Sequence, residues 1–153
     1  MKAADLAEQR CSLARPAALL GDRWTLVILR QAFSRTRRFE DFQSQLGISR
    51  SLLSDRLAKL VDAGILRREP YKDEVRTRQE YRLTDKGLDL YPVLMALREW
   101  GDKHMAPEGA PIVVSHRDCG GEVHTELKCE RCGEEVGPRE AEVAVGPGLR
   151  QLA

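Results

Sequence analysis

The chain has 153 residues, 42% of them apolar and 32% charged, with a formal net charge of +1. That balance excludes collagen-like, coiled-coil and wholly disordered chains. The apolar stretch Trp24 to Leu29, broken only by Thr25, is far too short to span a bilayer. Charge and cysteine are unevenly spread: residues 1–105 hold 20 Lys+Arg against 15 Asp+Glu, residues 106–153 hold 5 against 9, and three of the four cysteines lie in the second part. A stretch rich in Pro, Gly and Ala at 106–111 reads as a linker. The expected organisation is a domain over 1–105, a linker over 106–111 and a small extension over 112–153 with a frayed end. Asp5, Glu8 and Arg10 interrupt any signal-like apolar segment, which points to the cytoplasm and to no membrane partner.

The predicted elements begin with a short helix over 11–20, stopped by Gly21, in which Pro16 caps or kinks a turn. Asp22 then caps a helix over 23–33 whose nearly continuous apolar residues suit burial on more than one side. A basic loop with Arg35, Arg37 and Arg38 leads to a helix over 39–46. Gly47 supplies a left-handed exit, and Ser49 caps a helix reaching about residue 63, with Leu53, Leu57 and Leu60 as its buried stripe. Segments 65–71 and 78–83 alternate as strands around a polar turn and form a hairpin. Thr84 caps a helical stretch to about residue 105, interrupted or restarted near Pro92. Its apolar residues, Leu94 and Leu97 among them, cover more of its circumference than one small core needs and imply a second subunit. Segments 112–115, 122–127 and 140–145 read as short strands.

Helix, three-residue turn, helix and hairpin, in that order, make a helix-turn-helix with a wing. A helix with a polar, basic first turn suits the major groove, braced by the helix before it. Arg50 is the side chain best able to grip a guanine edge. Ser49, Ser51 and Ser54 suit phosphate oxygens near the helix N-terminus, and Lys59 lies further along. Lys72, Arg76 and Arg78 on the hairpin are placed to reach the phosphates or the adjacent minor groove of double-stranded DNA.

The stretches CSLARPAALLGDRWTLVILR (11–30), RFEDFQSQLGISRSLLSDRLAKLVDAGIL (38–66) and YRLTDKGLDLYPVLMALREWGDK (81–103) resemble the HxlR family of bacterial winged-helix regulators, relatives of the MarR family. The resemblance implies a homodimeric transcription regulator that reads a two-fold symmetric operator. The family's recognition helix falls on residues 49–63 and its wing on 66–83, with dimerisation through 11–20 and 84–105. Some members sense oxidants through a cysteine near the first helix, a place taken here by Cys11. The preferred reading of Cys11 is nevertheless a buried small residue packing the interface, since only Arg10 and Arg15 stand near it to lower its pKa. A small-molecule or oxidant effector is compatible with the family, but no residue marks its pocket.

The tail carries His116-Arg117-Asp118-Cys119-Gly120 and Cys129-Glu130-Arg131-Cys132-Gly133. Each has two potential ligands two residues apart, then a glycine. Four such ligands, His116, Cys119, Cys129 and Cys132, complete a tetrahedral structural zinc site and leave no open position for catalysis; His124 is the substitute for His116. The expected class is therefore α+β, mainly α: a winged helix-turn-helix domain with a small zinc-ribbon-like β extension, acting as a DNA-binding regulator and not as an enzyme. Two alternatives stand beside it: a thiol- or zinc-dependent redox enzyme working through Cys129 and Cys132, and a protein-interaction module built on the cysteine-rich tail.

Overall fold

A computed structural model describes residues 3–72 and 77–150. Eight helices and two strands are assigned among them: α1 (Ala3–Ala7), α2 (Ala14–Leu20), α3 (Arg23–Phe33), α4 (Phe39–Leu46), α5 (Arg50–Asp62), β1 (Leu66–Lys72), β2 (Thr77–Leu83), α6 (Asp85–Leu88), α7 (Tyr91–Met105) and α8 (Pro147–Arg150). The chain forms two compact units, Met1–Leu94 and Met95–Ala153. The division falls inside α7.

In the first unit, helix ends are set by local chemistry. The Asp22 carboxylate accepts the Trp24 N–H at 3.0 Å and starts α3. Gly47 ends α4 at φ 61°, a left-handed conformation that costs a residue with a Cβ more than it costs glycine. Ser49 starts α5 by accepting the Leu52 N–H. Ile28 and Leu29 of α3, Phe42 of α4, and Leu53, Leu57 and Leu60 of α5 lose all solvent contact. Ile48 in the turn, with Ile65 and Leu66 at the entry to the hairpin, closes the core.

β1 and β2 pair antiparallel from Leu66 with Leu83 to Lys72 with Thr77. A bridge between Arg38 and Glu80 lays the loop before α4 along β2, and the Tyr81 N–H donates to the Arg37 carbonyl at 2.8 Å. The stretch from Thr84, expected to be kinked or restarted near Pro92, restarts: it is two helices. Thr84 caps α6 by accepting the Gly87 N–H at 3.1 Å, while its hydroxyl donates to the Gly64 carbonyl at 2.6 Å. Gly87 lies so close to the Ile65 carbonyl that a Cβ would collide with it. The chain then restarts as α7 with Pro92 in its first turn, where the missing N–H has no helical partner to lose.

The second unit departs from the expected β extension. Segments 112–115, 122–127 and 140–145 are not strands; pairing is confined to two isolated bridges, Ser115 with Glu122 and Lys128 with Glu135. The backbone spends its hydrogen bonds closing tight turns at 116–121 and 129–134, so no ladder extends. Residues 140–145 are exposed along their whole length and carry no strand.

Candidate nucleic-acid interface

The α4–turn–α5 unit is fixed from beneath by an ion pair that links residues far apart in sequence. Arg56 grips Asp22 with both nitrogens of its fork, Nε to Oδ1 at 2.8 Å and Nη2 to Oδ2 at 3.0 Å. One carboxylate thus caps α3 and holds α5 to it. Burial works against the charge on Asp22, but the Arg56 hydrogen bonds and the Trp24 and Thr25 N–H groups hold its carboxyl below the ordinary carboxylate range.

The opposite side of α5 faces solvent. Ser49, Arg50, Ser51 and Ser54 are all exposed. Arg50 lays its guanidinium over the Phe39 ring at 4.8 Å, so the first residue of α5 rests on the first residue of α4. Phe39, Arg50, Ser51, Ser54 and Tyr81 ring a shallow depression. Among the described residues Arg50 has no carboxylate partner in an ion pair. A stacked, exposed guanidinium keeps its five donors available and loses little side-chain freedom when it binds.

Not every expected contact falls on this face. Lys59 lies on the other flank of α5 and lines a cavity with Leu6, Ala17, Asp22 and Arg56. Arg78 is half-buried and paired with Glu40 at 3.5 Å. Lys72 is exposed at the far end of β1, and Arg76 lies outside the described residues. Along the wing, Arg67 and Arg82 share Glu69, at 2.7 Å and 2.8 Å, and Arg82 also binds Glu80. These pairs stiffen the hairpin and leave less of its positive charge for a polyanion. Arg38 stacks on Tyr71 at 4.8 Å. Sequence reasoning missed the supports Phe39, Tyr81, Asp22 and Arg56. The order of the elements was visible, but the 34-residue separation of Asp22 and Arg56 obeys no local period.

Cys11 is exposed on the single chain. The N–H groups of Ala14, first, and Leu13 hold its thiol below the ordinary value, and the Ala14 N–H stands 3.4 Å from the sulfur. In the tail, His116 Nδ1 lies 3.3 Å from Cys119 Sγ. The Cys132 and Arg131 N–H groups hold the Cys129 thiol below its ordinary value. Among the described residues no three His, Cys, Asp or Glu side chains stand together as an ion-binding group, so the two pairs are separate.

A helix-turn-helix with an exposed basic first turn, followed by a two-stranded wing, defines a winged-helix DNA-binding regulator. The HxlR-like helix-turn-helix family model matches residues 19–109, and the chain belongs to that family. An uncharacterized HTH-type transcriptional regulator of Mycobacterium tuberculosis is 44% identical over 140 residues, covering 91% of this chain and 88% of that one. Among solved structures, the candidate transcription factor PA1607 is 34% identical with a TM-score of 0.82, covering 92% of this chain and 98% of the other. The redox regulator HypR in its reduced form is 25% identical with a TM-score of 0.55, covering 61% of this chain and 92% of its own. Matches of that length to the first two run through the tail, whereas the family model ends at 109. No helix among the described residues is long and apolar enough to cross a membrane. The chain is thus a helix-turn-helix transcriptional regulator.

Proposed function

We propose that this regulator works in the cytoplasm as a homodimer on a two-fold symmetric operator, with α5 in the major groove and the hairpin beside it. The observation that carries the reading is Arg50, exposed at the start of α5, stacked on Phe39 and flanked by Ser51 and Ser54. It reads a base edge, while Ser49, Ser51 and Ser54 position the helix on phosphates. Lys72, with Arg76, supplies contacts to the backbone. Arg78 contributes less than its position in the sequence suggests, because Glu40 already neutralises it.

The second subunit is supported by α7. Val93, Leu97 and Trp100 are each about half-exposed, at positions i, i+4 and i+7 of one helix. A stripe of that spacing suits packing against a partner helix. Two symmetric recognition helices then read half-sites about 10 base pairs apart, one turn of the duplex.

A gel shift with DNA from the promoter beside the gene tests the reading. Arg50→Ala is expected to cost about 1–3 kcal/mol of specific affinity, roughly fivefold to a hundredfold or more, with little change on random DNA. Equal binding of both variants to operator and random DNA overturns the assignment of α5. A second reading adds an oxidant as effector, because Cys11 is exposed and its thiol is shifted toward the reactive thiolate. A Cys11→Ser chain whose operator binding still responds to peroxide as wild type does excludes it.

A further inference from the structure

The tail repeats itself in three dimensions, and the repeat is in the backbone as well as the sequence. The His116 N–H donates to the Gly121 carbonyl at 2.8 Å; thirteen residues on, the Cys129 N–H donates to the Glu134 carbonyl at 2.9 Å. The Gly120 N–H donates to the His116 carbonyl, and the Gly133 N–H to the Cys129 carbonyl, both at 2.8 Å. The same offset relates the bridges Ser115–Glu122 and Lys128–Glu135. It also relates the outer bonds, Val123 to Val114 at 2.9 Å and Val136 to Leu127 at 2.8 Å. Gly120 and Gly133 sit at φ 72° and φ 75°, the left-handed conformation each turn needs in order to close. Every backbone feature of one turn recurs in the other. What the turns share in side chains is a pair of soft metal ligands at their first and fourth positions.

Such a turn brings its two ligands to one side. His116 Nδ1 and Cys119 Sγ are 3.3 Å apart. Zinc–nitrogen and zinc–sulfur bonds at a tetrahedral angle set the two ligand atoms about 3.6 Å apart, so the pair needs to open by only a few tenths of an ångström. His124 lies between the two turns, its ring nitrogens 3.9 Å from Glu99 and from Glu122, and the adjacent Thr125 N–H donates to Glu99 at 2.8 Å. That contact pins the middle of the connection between the turns to α7 and leaves one turn on each side of it. Meanwhile no residue from 106 to 148 is buried. A segment with no apolar interior, whose regular bonding stops at two turns, lacks the usual source of stability for a small fold; a metal is one of the few substitutes.

We propose that the two turns are halves of one structural zinc site, with His116 and Cys119 from the first and Cys129 and Cys132 from the second. The ion joins them and orders the tail by linking positions that nothing else connects. With four protein ligands the site has no open position, so it is not catalytic.

The test uses the full-length protein, purified reduced and without chelator. Elemental analysis is expected to find about one zinc per chain. Replacing zinc with cobalt should give the intense visible bands of a tetrahedral thiolate site, together with the near-ultraviolet sulfur-to-metal transition. Cys129→Ser is expected to lose the metal, and Cys11→Ser to keep it. Because Cys129→Ser could also unfold the tail, cobalt titration of the wild-type chain after zinc removal is read independently of any variant. Metal-free protein that gives no thiolate–cobalt band in that titration overturns the proposal. So does protein that arrives metal-free with Cys129 and Cys132 joined as a disulfide. Neither result touches the assignment of α5, which the gel shift decides separately.

Discussion

Ile28, Leu29, Phe42, Leu53, Leu57 and Leu60 are wholly removed from water in the first unit, whereas between residues 106 and 148 no side chain is buried. In the first case side chains from three helices meet, and the backbone bonds lie inside helices and one hairpin. In the second the backbone closes two turns around glycines, and the large apolar residues Ile112, Leu127 and Val143 face solvent. The contrast separates two routes to a defined structure. Apolar burial fixes many positions at once; a turn motif fixes only its own six residues. A motif of the second kind needs a further link, and the placement of metal-ligand side chains at matching positions in both turns makes that link chemically specific.

The largest test of the contrast is in the core. Leu57 lies on α5 with no exposed surface, so Leu57→Ala is expected to destabilise the first unit by about 2–5 kcal/mol through lost burial and a residual cavity. Denaturant unfolding followed by far-ultraviolet circular dichroism reads this, since helices dominate the signal. A loss below about 1 kcal/mol is too small for a well-packed interior site and would mean the interior is loosely packed.

A smaller effect is expected where the core is held electrostatically. Asp22→Ala removes both the cap of α3 and the partner of Arg56, and should cost about 1–2 kcal/mol. The wild-type carboxyl is held below its ordinary range, so the folded state binds this proton less readily than the unfolded one. Its contribution is therefore complete above about pH 4, the ordinary carboxylate value, and is lost as the pH falls through the depressed folded value. The stability difference between wild type and Asp22→Ala should narrow on acidification below that point. A difference that stays constant down to pH 2 would remove the ion pair from the account.

Legibility in the sequence follows the same division. The bounds of α3 and α4 and the cap of α5 were readable because each rests on residues within a few positions: Asp22 before Arg23, Gly47 after Leu46, Ser49 before Arg50. The hairpin was readable to within a residue at each end, since alternation and register are local. α1 gave no capping or periodic signal and was missed. The break between α6 and α7 was only half seen, because what ends α6 is the packing of Thr84 and Gly87 against the Gly64 and Ile65 carbonyls. At the candidate interface Arg50 could be picked out by its place in the motif, but its support on Phe39 could not. The pairing of Arg78 with Glu40 could not be seen, because the two lie 38 residues apart. In the tail, the ligand spacing and the two glycines were visible. The segments read as short strands did not form a sheet, since a strand needs another strand to pair with and a core to cover.

The smallest expected effect is the most direct check on the second half of the comparison. Val143 lies in the stretch once readable as a strand and is fully exposed, at 101% relative to an extended reference. An exposed side chain with no packing partner has no burial to lose, so Val143→Asp should change stability by less than about 0.5 kcal/mol. The added charge joins a segment that is already acidic, with 9 Asp+Glu against 5 Lys+Arg over residues 106–153; at ordinary ionic strength, charges more than about 8 Å away are largely screened. Melting temperature, sedimentation and operator affinity should all match wild type. A clear loss in any of them would have a definite meaning, because a charge at an exposed site is harmful only where the site is covered in the working assembly. A lowered melting temperature with a shifted sedimentation coefficient would place residues 140–145 against a second subunit. The tail would then gain from its partner the apolar burial that it lacks within one chain.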